Sequence, residues 1–515
     1  MSRSDRLEAI GWMMDRLLTM ERGYRLSRLV QDVQAACLFN EVPPISRGPD
    51  ALQRLIDSKK ADIEDLAREW ENFFHEGKRF VGSYSSEEFL RAYLAYYSTV
   101  NVIKLQLMLN DLLRRGTLRP GPGRFHVVDL GTGPGTTFLA VADWLLAYRS
   151  LAGTRDFPAS VRLTGIDRSR EALRAARHAS KRISETVTRW LDRHSQPASS
   201  AADVTGHAWR SVAAGCAEPG LLRADFLEPA SAELKEAVAG ANLVVASYVL
   251  NELRASRWKT GDFDDLLNET RPGCLVLLLE PGDGKRAIRL MQWRRSFLRE
   301  HPGWEVVSPC GDRFGQDLPG QCDTCWTCRG EALDPTPLYG EFVRHLPEGA
   351  TRPLTGDTGE RHLSWAYTVL RRRGARDVGP QRAGPDSSPG GASETVVLQV
   401  GESSRQGTGG RRVRGKYFGL CPAEVGAPKD AVLWLPADEV PPWLTFGQRV
   451  VLRGFDVPPA LGNSDEKWWF NWAPGARVEP PENDRPAGPA STVVPYDDAG
   501  RKWLEYAFPQ PAGTR

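Results

Sequence analysis

The chain predicts an α/β fold: a parallel, doubly wound sheet preceded by a helical domain and followed by a small, OB-like β-barrel. Three observations carry this. Helical spacing of apolar residues fills 1–118, and short apolar runs then alternate with amphipathic stretches over 119–373. Residues 374–394 are rich in Gly, Pro and Ser and read as a linker, and over 395–515 the apolar runs become short and separated by turn residues.

The helical region is built from EAIGWMMDRLLTM, LSRLVQDVQAACLF and EEFLRAYLAYYSTVNVIKLQLMLNDLLRRG. In the last of these, Ser85-Ser86-Glu87-Glu88 makes a helix start and Gly116 a stop. RFHVVDL is the first strand, followed by a Gly-rich turn and the helix TTFLAVADWLLAYR. VRLTGID (161–167) is a second strand, and SREALRAARHASKRISETVTRWLDR an amphipathic helix. ANLVVASYVL (241–250) and GCLVLLLE (273–280) are apolar throughout, as strands covered on both faces should be. HLSWAYTVLRRR (362–373) reads as a late strand of the same sheet, which makes about 300–350 a cysteine-rich insertion. The barrel is expected from TVVLQV, KYFGLCP, AVLWLP, QRVVLRGFDV and KWWFNWAPGARV.

A length of 515 residues fits roughly three domains. A hydrophobic content of 41%, with 16 Trp, suffices for large cores. The formal charge of +2 gives no overall drive toward nucleic acid. Of the 67 basic residues, however, 12 are Lys and 55 Arg. Arg suits phosphate contacts and base stacking, although a general excess of Ala, Gly, Pro and Arg accounts for the number equally well. Charges interrupt every apolar stretch of MSRSDRLEAIGWMMDRLL, and no run of 18 apolar residues occurs, so the chain reads as soluble and cytoplasmic.

In VVDLGTGPGTTF the strand ends at Asp129-Leu130 and Gly131, Gly133 and Gly135 carry the turn. Glycines serve where the backbone takes φ > 0 and approaches a ligand closely. The second strand ends in Asp167, where a carboxylate can accept both ribose hydroxyls of a nucleotide cofactor. NAD and S-adenosylmethionine sites share this geometry, but position 136 is Thr where a dinucleotide fingerprint wants Gly. The pattern D-x-G-x-G-x-G resembles motif I of class I S-adenosylmethionine-dependent methyltransferases, which have a Rossmann-like sheet. That resemblance implies Asp225 beside the adenine, Ser247 lining the cofactor, and Tyr248 to Glu252 near the methyl group. Enzymes acting on amino nitrogens often carry N/D-P-P-Y/F after the fourth strand; ASYVLNEL stands there instead. Tyr248, Asn251 and Glu252 are the catalytic candidates, and Asn251 and Glu252 fit a helix cap equally well.

Four of eight cysteines, Cys310, Cys322, Cys325 and Cys328, lie within nineteen residues among Gly, Pro and Asp. In a reducing compartment such clustering points to metal ligation. The C-x2-C-x2-C spacing favours an iron–sulfur cluster; structural zinc and free thiols are the alternatives. Cys421, in KYFGLCPAEVG, is a fifth candidate. Cys37, Cys216 and Cys274 read as packing residues.

The order of motifs is distinctive: YLAYYSTVNVIKLQLML, VVDLGTGPGTT, NLVVASYVLNEL, LLLEPGD, a cysteine loop opening SPC, LSWAYTVLRR, and GLCP in a C-terminal β region. Over about 80–430 it resembles the mitochondrial small-ribosomal-subunit methyltransferase-like family, that of methyltransferase-like protein 17 and its bacterial relatives. The resemblance implies S-adenosylmethionine binding, a 4Fe-4S cluster, and rRNA binding during assembly of the small ribosomal subunit. It assigns Cys310 and Cys421 as ligands, with Cys322, Cys325 and Cys328 covering the middle positions at a departing spacing. The expectation is a monomer in the bacterial cytoplasm, with neither membrane nor DNA as partner. The rivals are a methyltransferase acting on another RNA or a small molecule, with structural zinc, and a binding protein with a vestigial cofactor pocket.

Overall fold

A computed structural model describes residues 3–20, 23–40, 50–75, 86–154, 156–194, 200–226, 228–250, 261–281, 284–308, 331–332, 337–345, 362–363, 365–374, 393–406, 412–422, 431–436, 440, 449–453, 468–470, 477–479 and 495–509. Two compact units emerge, Met1–Val276 with Glu331–Leu363 and Ala490–Arg515, and Leu277–Gly330 with Ser364–Pro489.

The helices are α1 (Arg3–Leu18), α2 (Arg28–Phe39), α3 (Asp50–Ser58), α4 (Lys60–His75), α5 (Glu87–Ala95), α6 (Tyr97–Arg114), α7 (Thr136–Ala152), α8 (Arg170–His194), α9 (Ser200–Ala217), α10 (Ala232–Ala239), α11 (Gly261–Asn268), α12 (Gly284–Glu300), α13 (Pro337–Arg344) and α14 (Asp498–Ala507). The main sheet uses β1 (Arg124–Leu130), β2 (Ser160–Asp167), β3 (Gly220–Arg223), β4 (Leu243–Ser247), β5 (Leu275–Pro281), β6 (Trp304–Ser308) and β7 (Trp365–Arg372).

Its seven strands run in the order 3-2-1-4-5-7-6. β1 lies parallel to β2 on one side and to β4 on the other, with Val128 level with Thr164 and Val244. β2 and β3 are parallel, whereas β6 and β7 are antiparallel. This is a Rossmann-like class I sheet. Strand order reverses between β1 and β4, and in doubly wound sheets ligands bind beyond the carboxyl ends of the strands at that point.

The N-terminal helices are wrapped into the first unit. Ser86 starts α5 as expected, its side chain accepting from Phe89 N, and Gly116 follows the end of α6 with φ +64. The single helix expected over 87–116 is broken at Tyr96 (φ −104, ψ −72), where its ring packs on Tyr339 and Phe342. Every residue of α7 is buried, which marks it as the central helix. Polar side chains of α6 run along it: Ser98 Oγ lies 2.9 Å from Thr136 Oγ1, Gln106 Nε2 donates to Asp143 Oδ2 at 2.7 Å, and Trp144 Nε1 donates to Asn110 Oδ1 at 2.8 Å.

Helix α14 also belongs to this unit, although it lies in the region expected to be β-structured. Gly500 lets it approach α7 so closely that a Cβ there would stand 2.6 Å from Ser150 O. Arg149, fully buried, pairs with Asp497 at 2.8 Å, and Trp190, Trp209 and Trp503 pack with ring centroids 4.9–5.1 Å apart. Tyr506 Oη donates to the buried Asp32 Oδ2 at 3.0 Å.

In the second unit, Arg371 and Arg373 both reach Glu305, tying β7 to β6. Six further strands form a separate sheet: β8 (Ser393–Gln406), β9 (Arg412–Pro422), β10 (Ala431–Pro436), β11 (Arg449–Arg453), β12 (Trp468–Phe470) and β13 (Arg477–Glu479). Their order is 12-10-9-8-11-13. Pairing is antiparallel except between β10 and β12. Among the described residues no pairing joins β12 to β13, so the six strands form a sheet whose closure into the expected barrel is not shown.

Candidate functional site

The three glycines of the turn after β1 all have positive φ, for three different reasons. At Gly131 (φ +72) a Cβ would meet Val249 Cγ2 at 2.7 Å. At Gly135 (φ +86) it would meet Ala176 Cα at 3.1 Å, so this glycine lets α7 start tightly against α8. At Gly133 (φ +51) the nearest atom is 4.0 Å away. Among the described residues nothing fills that space, which leaves room for a ligand pressed against backbone. The turn is pinned to β2, since Gly131 N and Thr132 N both donate to Ile166 O, at 2.8 and 3.1 Å.

Two carboxylates flank it. Asp167 Oδ2 accepts from Gly133 N and its Oδ1 from Ser169 N, both at 2.9 Å. Each oxygen keeps a lone pair, so a vicinal diol can still be accepted. Burial raises the Asp167 pKa against the pull of these backbone bonds. Asp129 is deeper, with Oδ1 accepting from Thr137 Oγ1 at 2.9 Å. Burial pushes its carboxyl up to about 7, opposed by the Thr132 and Thr137 hydroxyls and aided by the neighbouring Asp167 charge. Asp129 Oδ2 and Thr132 Oγ1 are nonetheless buried without hydrogen-bond geometry to any partner among the described residues. Thr132 Oγ1 lies over Gly165 of β2, where an added Cβ would stand 2.9 Å from it, so this hydroxyl belongs to the packing behind the turn.

The carboxyl end of β4 supplies the other side. Ser247 is half-buried there. Tyr248 follows with φ +63, a left-handed conformation that is a rare outlier for a bulky residue and that clusters at functional sites. Its phenol oxygen accepts from Lys104 Nζ at 2.6 Å, and the ammonium lies 5.3 Å from the ring centroid. Lys104 is only 4% exposed and comes from α6. A lone lysine within NVIKLQLM reads as a surface residue, so sequence reasoning misses it. Asp225, half-buried after β3, accepts from Glu228 N through its backbone oxygen at 3.2 Å.

Glycines 131, 133 and 135, Asp129, Asp167, Ser247 and Tyr248 therefore gather at the carboxyl ends of β1, β2 and β4. Asn251 and Glu252 lie outside the described residues, as do Cys310, Cys322, Cys325 and Cys328. Cys421 sits on β9 in register with Val396 of β8. Cys37, Cys216 and Cys274 are buried, and burial pushes the Cys37 and Cys216 thiols up to about 12, so they are inert packing groups. No helix among the described residues is long and apolar enough to cross a membrane.

No family model and no curated protein matches the chain. Solved structures that resemble it include the YcgJ protein from Bacillus subtilis (9% identity, 52% of this chain and 98% of that one, TM-score 0.25). Loganic acid methyltransferase with SAH is another (11%, 57% and 98%, TM-score 0.28). A third is CrArsM, an arsenic(III) S-adenosylmethionine methyltransferase from Chlamydomonas reinhardtii (13%, 54% and 72%, TM-score 0.22).

Proposed function

We propose that the chain binds S-adenosylmethionine across the turn at Gly131–Gly135 as a class I methyltransferase, and acts on small-subunit rRNA during ribosome assembly. The carrying observation is the open space at Gly133, flanked by Asp167 at the point where strand order reverses. Asp167 would hold the ribose hydroxyls, Asp225 the adenine side, and Ser247 the wall leading to Tyr248. When bound, the cofactor supplies a methyl group activated on a sulfonium sulfur. The chain's own contribution to an in-line displacement is positioning. Lys104 fixes the Tyr248 ring, and Tyr248 with the residues that follow it orients the acceptor.

Calorimetry with S-adenosylhomocysteine tests the cofactor: wild type should bind and Gly133→Val should not. Binding that survives Gly133→Val would sink the assigned pocket. The ribosomal role is supported by the order of motifs. RNA recovered with the protein from cells should be enriched in small-subunit rRNA, and enrichment of other RNAs alone would refute it.

The same reading includes a 4Fe-4S cluster held by Cys310, Cys421 and two of Cys322, Cys325 and Cys328. Cysteine spacing supports it, and a cluster would order a loop too polar to fold alone. Anaerobically purified protein should contain iron and acid-labile sulfide; stoichiometric zinc without iron would replace it with a structural zinc site.

A further inference from the structure

A row of positive charge starts beside the cofactor turn and runs away from it along α8. Arg170, Arg174, Arg177 and Lys181 are all exposed and follow one another at i, i+4, i+7 and i+11, one face of the helix over about 16 Å. Arg168, directly after Asp167, and Arg223, at the end of β3, are also exposed, and Arg223 Nε donates to Arg168 O at 3.1 Å. They extend the row to the carboxyl edge of the sheet.

This row works against its own helix. Cations near a helix N-terminus oppose the macrodipole, and like charges at i,i+3 and i,i+4 repel. The acid in the first turn, Glu171, is engaged by Ser169 Oγ at 3.3 Å. Among the described residues, no ion pair or hydrogen bond engages the side chains of Arg170, Arg174 or Arg177. Among the described residues Lys181 has only Glu185, at 3.9 Å. Helix α8 packs its opposite face in the core through Ala172, Ala176, Ile183 and Trp190, so its fold does not require the charges.

We infer that this face binds the sugar–phosphate backbone of single-stranded RNA. Guanidinium groups match phosphate oxygens in pairs, which suits a row that is three-quarters Arg. A protein partner would want an apolar anchor, and the row contains no exposed large apolar side chain. Strandedness rests on the methyltransferase reading: a base can reach the end of β4 only from an unpaired strand. The phosphate contact itself does not depend on that reading.

The test uses the full chain and a fluorescein-labelled single-stranded RNA of about 20 nucleotides, with anisotropy followed as salt is raised. Replacing Arg170, Arg174 and Arg177 together by Gln should weaken binding and make the slope of log K against log salt shallower by about 2. A control lacking Arg54, Lys60 and Arg68, exposed on α3 and α4, should keep the wild-type slope. An unchanged slope in the α8 variant, or an equal change in the control, would overturn the proposal. So would tight binding of polyaspartate in place of RNA, or equally strong competition from a duplex. Calorimetry with S-adenosylhomocysteine keeps the readings apart: the α8 variant should bind it like wild type, and RNA binding without cofactor binding would sink the methyltransferase reading alone.

Discussion

Lys104 Nζ and Tyr248 Oη lie 2.6 Å apart, joining a helix that precedes the sheet to the strained residue that leaves its fourth strand. The left-handed backbone at Tyr248 costs on the order of 1 kcal/mol or more, and such strain persists only where surrounding contacts hold it. The N-terminal helices are therefore part of the site.

A double-mutant cycle measures that link. Lys104→Met and Tyr248→Phe should each lower stability, and their coupling should be about 1 to 3 kcal/mol, as for a buried hydrogen bond to a charged group. Strict additivity in chemical denaturation would mean the bond contributes nothing.

The three glycines should separate by phenotype. Gly131→Ala and Gly135→Ala force a Cβ against Val249 and Ala176, so both should lower the melting temperature markedly. Gly133→Ala meets no described atom closer than 4.0 Å, and should cost only about 1 kcal/mol of backbone strain while losing most affinity for S-adenosylhomocysteine. Melting curves beside calorimetry check this; equal destabilisation by all three would contradict it.

Asp129 sets a pH dependence of known sign. Its folded carboxyl titrates near 7, whereas an unfolded aspartate titrates near 4. Between those values the folded chain keeps a proton that the unfolded chain has released. Stability therefore falls as pH rises from about 4 to about 7 and levels off above, by on the order of 4 kcal/mol for this group. Asp129→Asn, neutral throughout, should gain on wild type between pH 5 and pH 8 in thermal melts. A constant difference across that range would show that Asp129 ionises normally.

Asp497→Ala should cost about 3 to 5 kcal/mol, because it leaves the buried Arg149 guanidinium without its carboxylate. Urea unfolding followed by tryptophan fluorescence reads this directly through the Trp190–Trp209–Trp503 cluster. A midpoint within error of wild type would mean that water replaces the pair.

The buried strands β4 and β5 were legible because their apolar runs LVVA and LVLLL are unbroken, and β1 because a glycine turn follows it directly. The edge strands β3 and β6 were not: GLLR is short and half-exposed, and WEVVS mixes charge with apolar residues. The glycine turn and Asp167 could be read because backbone geometry restricts which residues fit. Lys104 could not, since its meaning arises only when α6 crosses the end of β4. Helix α14 was hidden for a similar reason: the partners of Trp503 and Asp497 lie some three hundred residues earlier in the chain.

That return of the last helix bears on biosynthesis. The indole cluster that seals α8 and α9 lacks its third ring until Trp503 has been translated, long after strands β1 to β5 exist. Until then the nascent chain carries an exposed apolar seam and an unneutralised arginine at 149, the kind of surface that chaperones hold.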